Sequence, residues 1–212
     1  MNDDLKYRET HATWNTLADW YEGQFMHFTA YDVAYDHWIA LLSSKESKAL
    51  DLGTGPGIIP VYALKKGFSL NWTIVDVAPA MLLRAKNHLP EACCVECDVM
   101  HFVAPRETFE TVTAGFIWPY LPPETNERLL RKIHAWLVPK GSLLLSFVEG
   151  EDNVETWGTN AMGMRSVFHF HKSANVLALL AEVGFDVDFI HRVPYDRRGE
   201  EEIHTTIIAR RR

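Results

Sequence analysis

Basic residues are fewer than acidic ones in this sequence, which argues against the partners of strongly basic proteins. The chain has 21 Lys and Arg against 28 Asp and Glu, a formal net charge of −7. Nucleic-acid backbones are bound mainly through Lys and Arg, so this balance disfavours nucleic acid as a ligand. No apolar run reaches the about 20 residues that a membrane-spanning helix needs, so we expect no membrane partner.

Cysteine is also scarce, and its spacing does not favour a metal site. The three cysteines are Cys93, Cys94 and Cys97. The Cys94-x-x-Cys97 spacing is that of half a zinc site, but there is no second cysteine pair, and residues three apart on a strand point to opposite faces. We therefore expect no bound metal. Few cysteines and a polar N-terminus, Met1–Asp4, unlike that of a signal peptide, predict a cytoplasmic location.

Several motifs of nucleotide-binding proteins and hydrolases are missing. No Gly-Lys-Ser/Thr follows a glycine-rich loop, and no serine has the context of a nucleophile elbow. A dinucleotide fingerprint starting at Gly53 and Gly55 would need a third small residue where Ile58 stands. Repeats and low-complexity tracts are absent as well. The 212 residues therefore predict one domain with a sizeable core.

What the sequence does contain is a glycine-rich turn, Asp51-Leu52-Gly53-Thr54-Gly55-Pro56-Gly57, between a short apolar strand and a helix. Glycines in such a turn allow positive φ and let a ligand lie against bare backbone. The helix that follows presents free N–H groups and the positive end of its dipole. This order predicts a cofactor site at the carboxyl edge of a parallel sheet, with the Asp51 carboxylate at the strand end.

Two more carboxylates follow predicted strands. Residues 70–75 form an apolar run that ends in Asp76, and residues 93–97 form a shorter one that is closed by Asp98. Because the carboxyl ends of neighbouring parallel strands lie at the same edge of a sheet, we expect both carboxylates to lie near the glycine-rich turn.

The string Asp-x-Gly-x-Gly-x-Gly and the acidic strand ends resemble the class I S-adenosylmethionine-dependent methyltransferases over about residues 45–209. The resemblance implies S-adenosyl-L-methionine as cofactor and S-adenosyl-L-homocysteine as product. It implies that Asp76 binds both ribose hydroxyls and that Asp98 faces the adenine amino group. The residues implied to bind the cofactor are Tyr21, Asp51, Gly53, Thr54, Gly55, Gly57, Asp76, Val77, Met81, Asp98, Val99, Phe116 and Trp118.

The same resemblance implies an α/β fold with a doubly wound, mainly parallel seven-stranded sheet of order 3-2-1-4-5-7-6, the last strand antiparallel, in a three-layer sandwich. In the sequence, Ser173 can cap a helix that Gly184 ends, and two strands follow it. We expect a single domain over residues 1–212. Its parts would be an N-terminal helical lid, a cofactor-binding core, a substrate-side insert, and a last helix with an antiparallel strand pair, at 1–46, 47–148, 149–172 and 173–209.

Aromatic residues are concentrated outside the predicted core. Ala18-Asp19-Trp20-Tyr21-Glu22 resembles the family's Ala-x-x-Tyr-Asp signature, whose Tyr approaches the cofactor. Segments 1–46 and 149–172 are rich in aromatic residues and Met, which either pack lid to core or line a largely apolar substrate pocket. Together with the acidic charge, this pattern favours a small-molecule methyl acceptor.

The nature of the acceptor is less well determined by the sequence. Ile117-Trp118-Pro119-Tyr120 lacks the Asn or Asp of the Asn/Asp-Pro-Pro-Tyr box, which argues against base N-methylation. A hydroxyl or carbon acid would need a general base, and the candidates are Tyr120, His27, His169 and His171. We predict methyl transfer to a nucleophilic atom of an unidentified small molecule. The alternatives are a protein or RNA methyltransferase and a non-catalytic S-adenosylmethionine-binding protein.

Overall fold

The computed structural model describes residues 3–152, 155–159, 162–197 and 199–212. Met1 and Asn2, half of the polar N-terminus discussed above, lie outside the described residues. The helices are α1 (Asp3–Thr16), α2 (Ala18–Phe25), α3 (Asp32–Ala40), α4 (Ile58–Lys65), α5 (Pro79–His88), α6 (Pro123–Trp136) and α7 (Ser173–Val183), with a short 3₁₀ turn at Trp118–Tyr120. The strands are β1 (Lys48–Leu52), β2 (Asn71–Asp76), β3 (Cys93–Glu96), β4 (Phe109–Ala114), β5 (Leu137–Val148), β6 (Glu155–Thr159), β7 (Arg165–His169), β8 (Phe185–Arg197) and β9 (Glu200–Arg211).

The main sheet has seven strands in the order β3-β2-β1-β4-β5-β9-β8. The first five strands are parallel, and β9 runs antiparallel to both β5 and β8. The predicted fold class is therefore confirmed. The strand numbers differ from the prediction because β6 and β7 form a separate two-stranded sheet in the segment before α7.

Helices cover both faces of this sheet, as the burial of its central strands requires. Successive residues of a strand point to opposite faces, so Leu143 and Leu145 pack with α6 and α7 while Leu144 packs with α3, α4 and α5. All three leucines are fully buried. The core thus consists of two apolar layers, one on each side of the sheet.

Helix α1 closes the exposed edge of the additional hairpin. The Thr10 hydroxyl accepts a hydrogen bond from the Val167 backbone N–H at 2.9 Å, and the Thr13 hydroxyl donates to the Arg165 carbonyl at 2.6 Å. The Arg165 guanidinium donates two further bonds of 2.9 Å to the Glu9 carboxylate. These contacts satisfy backbone hydrogen-bonding groups at the edge of β7, which would otherwise be open to pairing with another strand.

The predicted lid corresponds to α1, α2 and α3, and the predicted insert contains the β6–β7 hairpin. The division of the chain into lid, core and insert stays a prediction. Within the described residues, no helix combines the length and the apolar character needed to cross a bilayer.

Candidate functional site

A cavity of about 400 Å³ lies at the carboxyl edge of the parallel strands. It is called here the carboxyl-edge cavity. Its walls come from the glycine-rich turn, from α1 and α2 and the segment leading into α3, and from β7, β8 and β9. The residues predicted to bind the cofactor that line it are Tyr21, Asp51, Gly53, Thr54, Gly55, Asp76, Val77, Met81, Asp98, Val99 and Phe116.

The glycines of the turn all have positive φ, but they serve different purposes. Gly53 and Gly55 adopt φ of 64° and 54°. A Cβ on Gly53 would lie 2.7 Å from the Ile117 Cδ1 atom, so the side chain of Ile117 requires a glycine there. A Cβ on Gly55 would meet nothing closer than Tyr21, at 3.8 Å. Gly55 therefore borders the open space of the carboxyl-edge cavity, whereas Gly53 is required by packing inside the protein.

Asp76, at the end of β2, ties this turn in place. Its Oδ2 atom accepts a hydrogen bond from the Gly55 N–H at 2.8 Å, and its Oδ1 atom accepts one from the Ala78 N–H at 2.9 Å. Burial raises the pKa of Asp76, and these backbone bonds act against that rise. Each carboxylate oxygen can accept more than one hydrogen bond, so both remain able to bind ligand hydroxyls.

Asp51 is the most deeply buried carboxyl group of the site, with 2 % of its surface exposed. Its two oxygens accept hydrogen bonds of 2.6 Å from the Thr54 and Thr113 hydroxyls. Burial raises the pKa of Asp51 to about 7, although the two threonine bonds act in the opposite direction. A group with this pKa changes charge near neutral pH, and a cationic ligand beside it would favour the ionised form.

We expect this buried carboxyl group to make the unliganded protein less stable as the pH rises. The folded state keeps the Asp51 proton up to about pH 7, whereas the unfolded chain releases it near the ordinary aspartate pKa of 3.8. The free energy of unfolding should therefore fall by a few kcal/mol, to order of magnitude, between these pH values. Urea unfolding of wild type and Asp51→Asn across this range tests the effect. An equally steep decline in the variant would contradict it.

Asp98 closes the row of strand-end carboxylates after β3. Its Oδ1 atom accepts a hydrogen bond from the Met100 N–H at 2.7 Å, and its backbone carbonyl accepts from the N–H groups of His101 and Phe102. These bonds fix the turn and hold the half-buried carboxylate against the carboxyl-edge cavity. The cavity therefore has a carboxylate from each of three adjacent strands, as the sequence predicted.

Aromatic rings form the wall opposite the glycine-rich turn. Trp14 makes edge contacts with Tyr21 and Tyr120, with ring centroids 5.4 and 5.0 Å apart. Tyr120 also contacts Phe168 of β7 at 5.5 Å. Burial strongly raises the pKa of Tyr120, so its phenol stays protonated and is poorly suited to act as a base.

The other residues proposed from the sequence lie outside the lining of this cavity: Gly57, Trp118, His27, His169 and His171. Gly57 is the N-cap residue of α4, and a Cβ added to it would lie 3.4 Å from Ala85 of α5. Trp118 is buried against Phe147 and His171. The geometry therefore gives Gly57 and Trp118 structural contacts, and it offers no support for their direct contact with the cofactor.

The three histidine candidates have surroundings unlike those of a general base in the cavity. His27 is exposed. His169 is hydrogen-bonded through Nε2 to the Tyr7 hydroxyl at 3.1 Å. Burial lowers the pKa of both His169 and His171. None of the three faces the space between the glycine-rich turn and the aromatic wall.

Sequence reasoning missed a second polar group in the cavity, contributed by residues Tyr31, Tyr195, Arg197, Glu202 and His204. The last four of these residues reach the cavity because β8 extends to Arg197 and β9 begins at Glu200. Glu202 and His204 alternate along β9, which enters the sheet at its carboxyl edge because it is antiparallel to β5. Two polar residues at this spacing point to the same face of a strand, and this pattern is the sequence signal that could have identified them.

Phe116 lies between the two halves of the site and has an unusual backbone. It follows β4 with φ of 54°, a left-handed conformation that is uncommon for a bulky residue. Its ring centroid lies 5.0 Å from that of His204 and 5.1 Å from that of Tyr31. Such local strain is often found at functional sites. Here it directs an aromatic ring to the border between the glycine-rich turn and the second polar group.

Comparison with known proteins agrees with this geometry. Residues 49–141 match a family model described as a methyltransferase domain. The chain is 26 % identical over 144 residues to trans-aconitate 2-methyltransferase of Rhodopseudomonas palustris (strain BisA53), an alignment that covers 65 % of this chain and 54 % of that enzyme. The chain thus spans about half the length of this curated relative.

Two solved structures share the fold over almost the whole chain. The Burkholderia thailandensis 1,6-didemethyltoxoflavin-N1-methyltransferase, with bound 1,6-didemethyltoxoflavin and S-adenosylhomocysteine, superimposes with a TM-score of 0.76 at 19 % identity. That match covers 100 % of this chain and 91 % of the other. A DhpI–SAH complex superimposes with a TM-score of 0.71 at 15 % identity and covers 95 % and 96 % of the two chains.

Proposed function

We propose that this chain is a class I S-adenosylmethionine-dependent methyltransferase, as the match to a methyltransferase domain and the curated relative support, and that it transfers a methyl group from S-adenosylmethionine to a small molecule bound in the carboxyl-edge cavity. The main observation in support of the proposal is that one cavity combines two chemically different surfaces. Three strand-end carboxylates and an open glycine turn lie on one side, and a wall of aromatic rings lies on the other.

The residues on the carboxylate side fit the cofactor by their chemistry. Asp76 retains acceptor capacity for the two ribose hydroxyls, and Asp98 offers an acceptor for the adenine amino group. Asp51 adds a carboxyl group that is ready to ionise beside a cation. Gly55 leaves the space into which a side chain would otherwise project. We assign the adenosine part to Asp76 and Asp98, and the methionine part to the glycine turn and Asp51.

The bound cofactor supplies a methyl group already activated by the sulfonium charge. The work left to the protein is to exclude water and to hold the acceptor atom in line with that methyl group. Helix α1 and the β6–β7 hairpin form part of the cavity wall and are held together by the threonine and arginine contacts described above. This cover gives the site the enclosed character that transfer to a small molecule needs.

A small-molecule acceptor is also supported by the relatives. Two similar enzymes are named for small-molecule substrates, trans-aconitate and 1,6-didemethyltoxoflavin. The net charge of −7 disfavours an RNA substrate, and the scarcity of cysteine favours a cytoplasmic location.

Product formation with defined acceptors tests the proposed function. We would incubate the protein with methyl-labelled S-adenosylmethionine and panels of phenols, nitrogen heterocycles, carboxylic acids, peptides and RNA, and measure S-adenosylhomocysteine. We expect product with a member of the small-molecule panels. Transfer only to peptide or RNA would contradict the proposal. Cofactor binding without product on any acceptor would favour a non-catalytic binding protein.

We also predict that the N-terminal helices become more protected when cofactor binds. Tyr21 lies over Gly55, where a Cβ would be 3.8 Å from its ring, so a ligand on the glycine turn would contact α2. Amide hydrogen exchange of residues 3–46 should slow with S-adenosylhomocysteine, because closure excludes water from the site. Helix α6 packs on the sheet away from the cavity and serves as an internal control. Equal exchange in residues 3–46 with and without ligand would indicate a rigid packing element instead.

A further inference from the structure

A connected set of polar side chains lies on the acceptor side of the carboxyl-edge cavity, apart from the strand-end carboxylates. The Tyr31 hydroxyl lies 2.6 Å from His204 Nδ1. His204 Nε2 lies 3.5 Å from Glu202 Oε2, and Glu202 Oε1 accepts a hydrogen bond of 3.0 Å from Arg197 Nη1. All four side chains line the cavity. A hydroxyl, an imidazole, a carboxylate and a guanidinium thus follow one another along the wall of the cavity.

The imidazole at the centre of this set is firmly held. Tyr195 stacks on the His204 ring with centroids 4.5 Å apart and planes inclined by 16°. Phe116 and Tyr31 contact the same ring at 5.0 and 6.0 Å. Tyr31 and His204 are both less than a tenth exposed. Burial among aromatic rings strengthens the polar contacts and fixes which ring nitrogen faces which partner.

The charges around His204 suit it to accept a proton. Burial acts to raise the pKa of Glu202, but hydrogen bonds from His204 and Arg197 outweigh it and lower that pKa below its usual value. The carboxylate therefore stays ionised and can stabilise an imidazolium. The phenols of Tyr31 and Tyr195 also contact the His204 ring, and burial raises the pKa of Tyr31 well above its usual value. Tyr31 is thus suited to pass a proton on, rather than to rest as a phenolate.

We propose that Tyr31, His204 and Glu202 form a proton relay for the methyl acceptor, and that the acceptor is a planar aromatic molecule with a weakly acidic hydroxyl or ring N–H. The proposal rests on the proposed function and names the substrate class of the same site. The aromatic wall formed by Trp14 and Tyr120 offers surfaces for a planar ring.

Methyl transfer and proton transfer are coupled in this arrangement. As the acceptor oxygen or nitrogen forms its bond to the methyl carbon, the carbon–sulfur bond breaks and its electron pair stays on sulfur as a thioether. The acceptor proton moves to the Tyr31 oxygen while the Tyr31 proton moves to His204 Nδ1. The positive charge that leaves sulfur is replaced by an imidazolium beside the Glu202 carboxylate. That proton returns to solvent once the products have left.

The state of a bound phenol tests the relay without any turnover. The probe is 4-nitrophenol, whose phenolate has its own visible absorption band, added to protein saturated with S-adenosylhomocysteine. A relay that takes up the phenol proton should lower the apparent pKa of the bound probe by about one to two units relative to the free probe, since the imidazolium formed is an opposite charge nearby. A pH titration of the phenolate band measures this shift.

Two conservative variants separate the relay from a general effect of the cavity. Tyr31→Phe removes one hydroxyl, and Glu202→Gln removes one charge with nearly the same side-chain shape. Both variants keep the buried imidazole of His204, so we expect both to fold. Both should bring the probe's apparent pKa back toward that of the free phenol. His191→Gln is the matched control, because His191 lies on β8 but does not line the cavity. It should keep the wild-type shift.

Each result decides a different question. Equal ionisation of the probe in wild type, Tyr31→Phe and Glu202→Gln would overturn the relay. Failure of 4-nitrophenol to bind the loaded protein would overturn the aromatic acceptor class. Calorimetry with S-adenosylhomocysteine precedes both measurements. A lack of binding at that step would overturn the proposed function itself, and the relay that depends on it.

Discussion

Replacing Asp76 with alanine is expected to weaken S-adenosylhomocysteine binding by about ten- to a hundredfold, which corresponds to roughly 1.5–3 kcal/mol. The carboxylate is assigned both ribose hydroxyls, and it also holds the Gly55 and Ala78 N–H groups at 2.8 and 2.9 Å. The variant therefore loses ligand bonds and the anchor of the glycine turn together. Isothermal titration calorimetry gives the change in dissociation constant directly.

Two further variants show which loss matters. Asp76→Asn keeps one oxygen to hold part of the turn but removes the charge, so its affinity should fall between those of wild type and Asp76→Ala. Asp36→Ala is the control, because this aspartate on α3 is exposed and does not line the cavity. An unchanged dissociation constant in Asp76→Ala would mean that the ribose has another partner.

Adding a single methyl group at Gly55 should reduce cofactor affinity by about tenfold or more. The Cβ would project into the carboxyl-edge cavity, where the nearest protein atom is Tyr21 Cε1 at 3.8 Å, so it would occupy ligand space without a clash inside the protein. The left-handed φ of 54° adds a folding cost of about 1–2 kcal/mol for any L side chain. Stability and binding must therefore be measured separately for Gly55→Ala.

Gly67 provides a matched control for that conformational cost. It has φ of 84°, its nearest contact to an added Cβ is also at 3.8 Å, and it does not line the cavity. Gly67→Ala and Gly55→Ala should lose similar stability in thermal unfolding. Only Gly55→Ala should lose affinity for S-adenosylhomocysteine in calorimetry. Normal binding by its folded fraction would show that the glycine turn is only structural.

The cofactor half of the site could be predicted because its signals are local in the sequence. The turn from Asp51 to Gly57 carries strand, glycines and helix in one short string. Asp76 and Asp98 each end an apolar run, and the geometry of parallel strands then brings the three carboxylates to one edge. This prediction does not require knowing which distant segments pair, because the carboxyl ends of neighbouring parallel strands always lie at the same edge of the sheet.

The acceptor half could not be predicted because it depends on pairings between distant segments. Tyr31 and His204 are 173 positions apart, and their hydrogen bond depends on the register of β9 against β5. The β6–β7 hairpin was missed for a similar reason, since its edge is completed by threonines of α1 rather than by neighbouring sequence. Trp118 was placed beside the cofactor by resemblance, but it packs into the core against Phe147.

Calorimetric titration of the wild-type protein with S-adenosylmethionine is the most direct test that the carboxyl-edge cavity binds this cofactor. We expect one binding site per chain at the carboxyl-edge cavity, competition by S-adenosylhomocysteine for the same site, and a marked loss of affinity for both ligands in Asp76→Ala. Absence of binding by either ligand to the folded wild-type protein, or binding that Asp76→Ala leaves unchanged, would contradict this expectation.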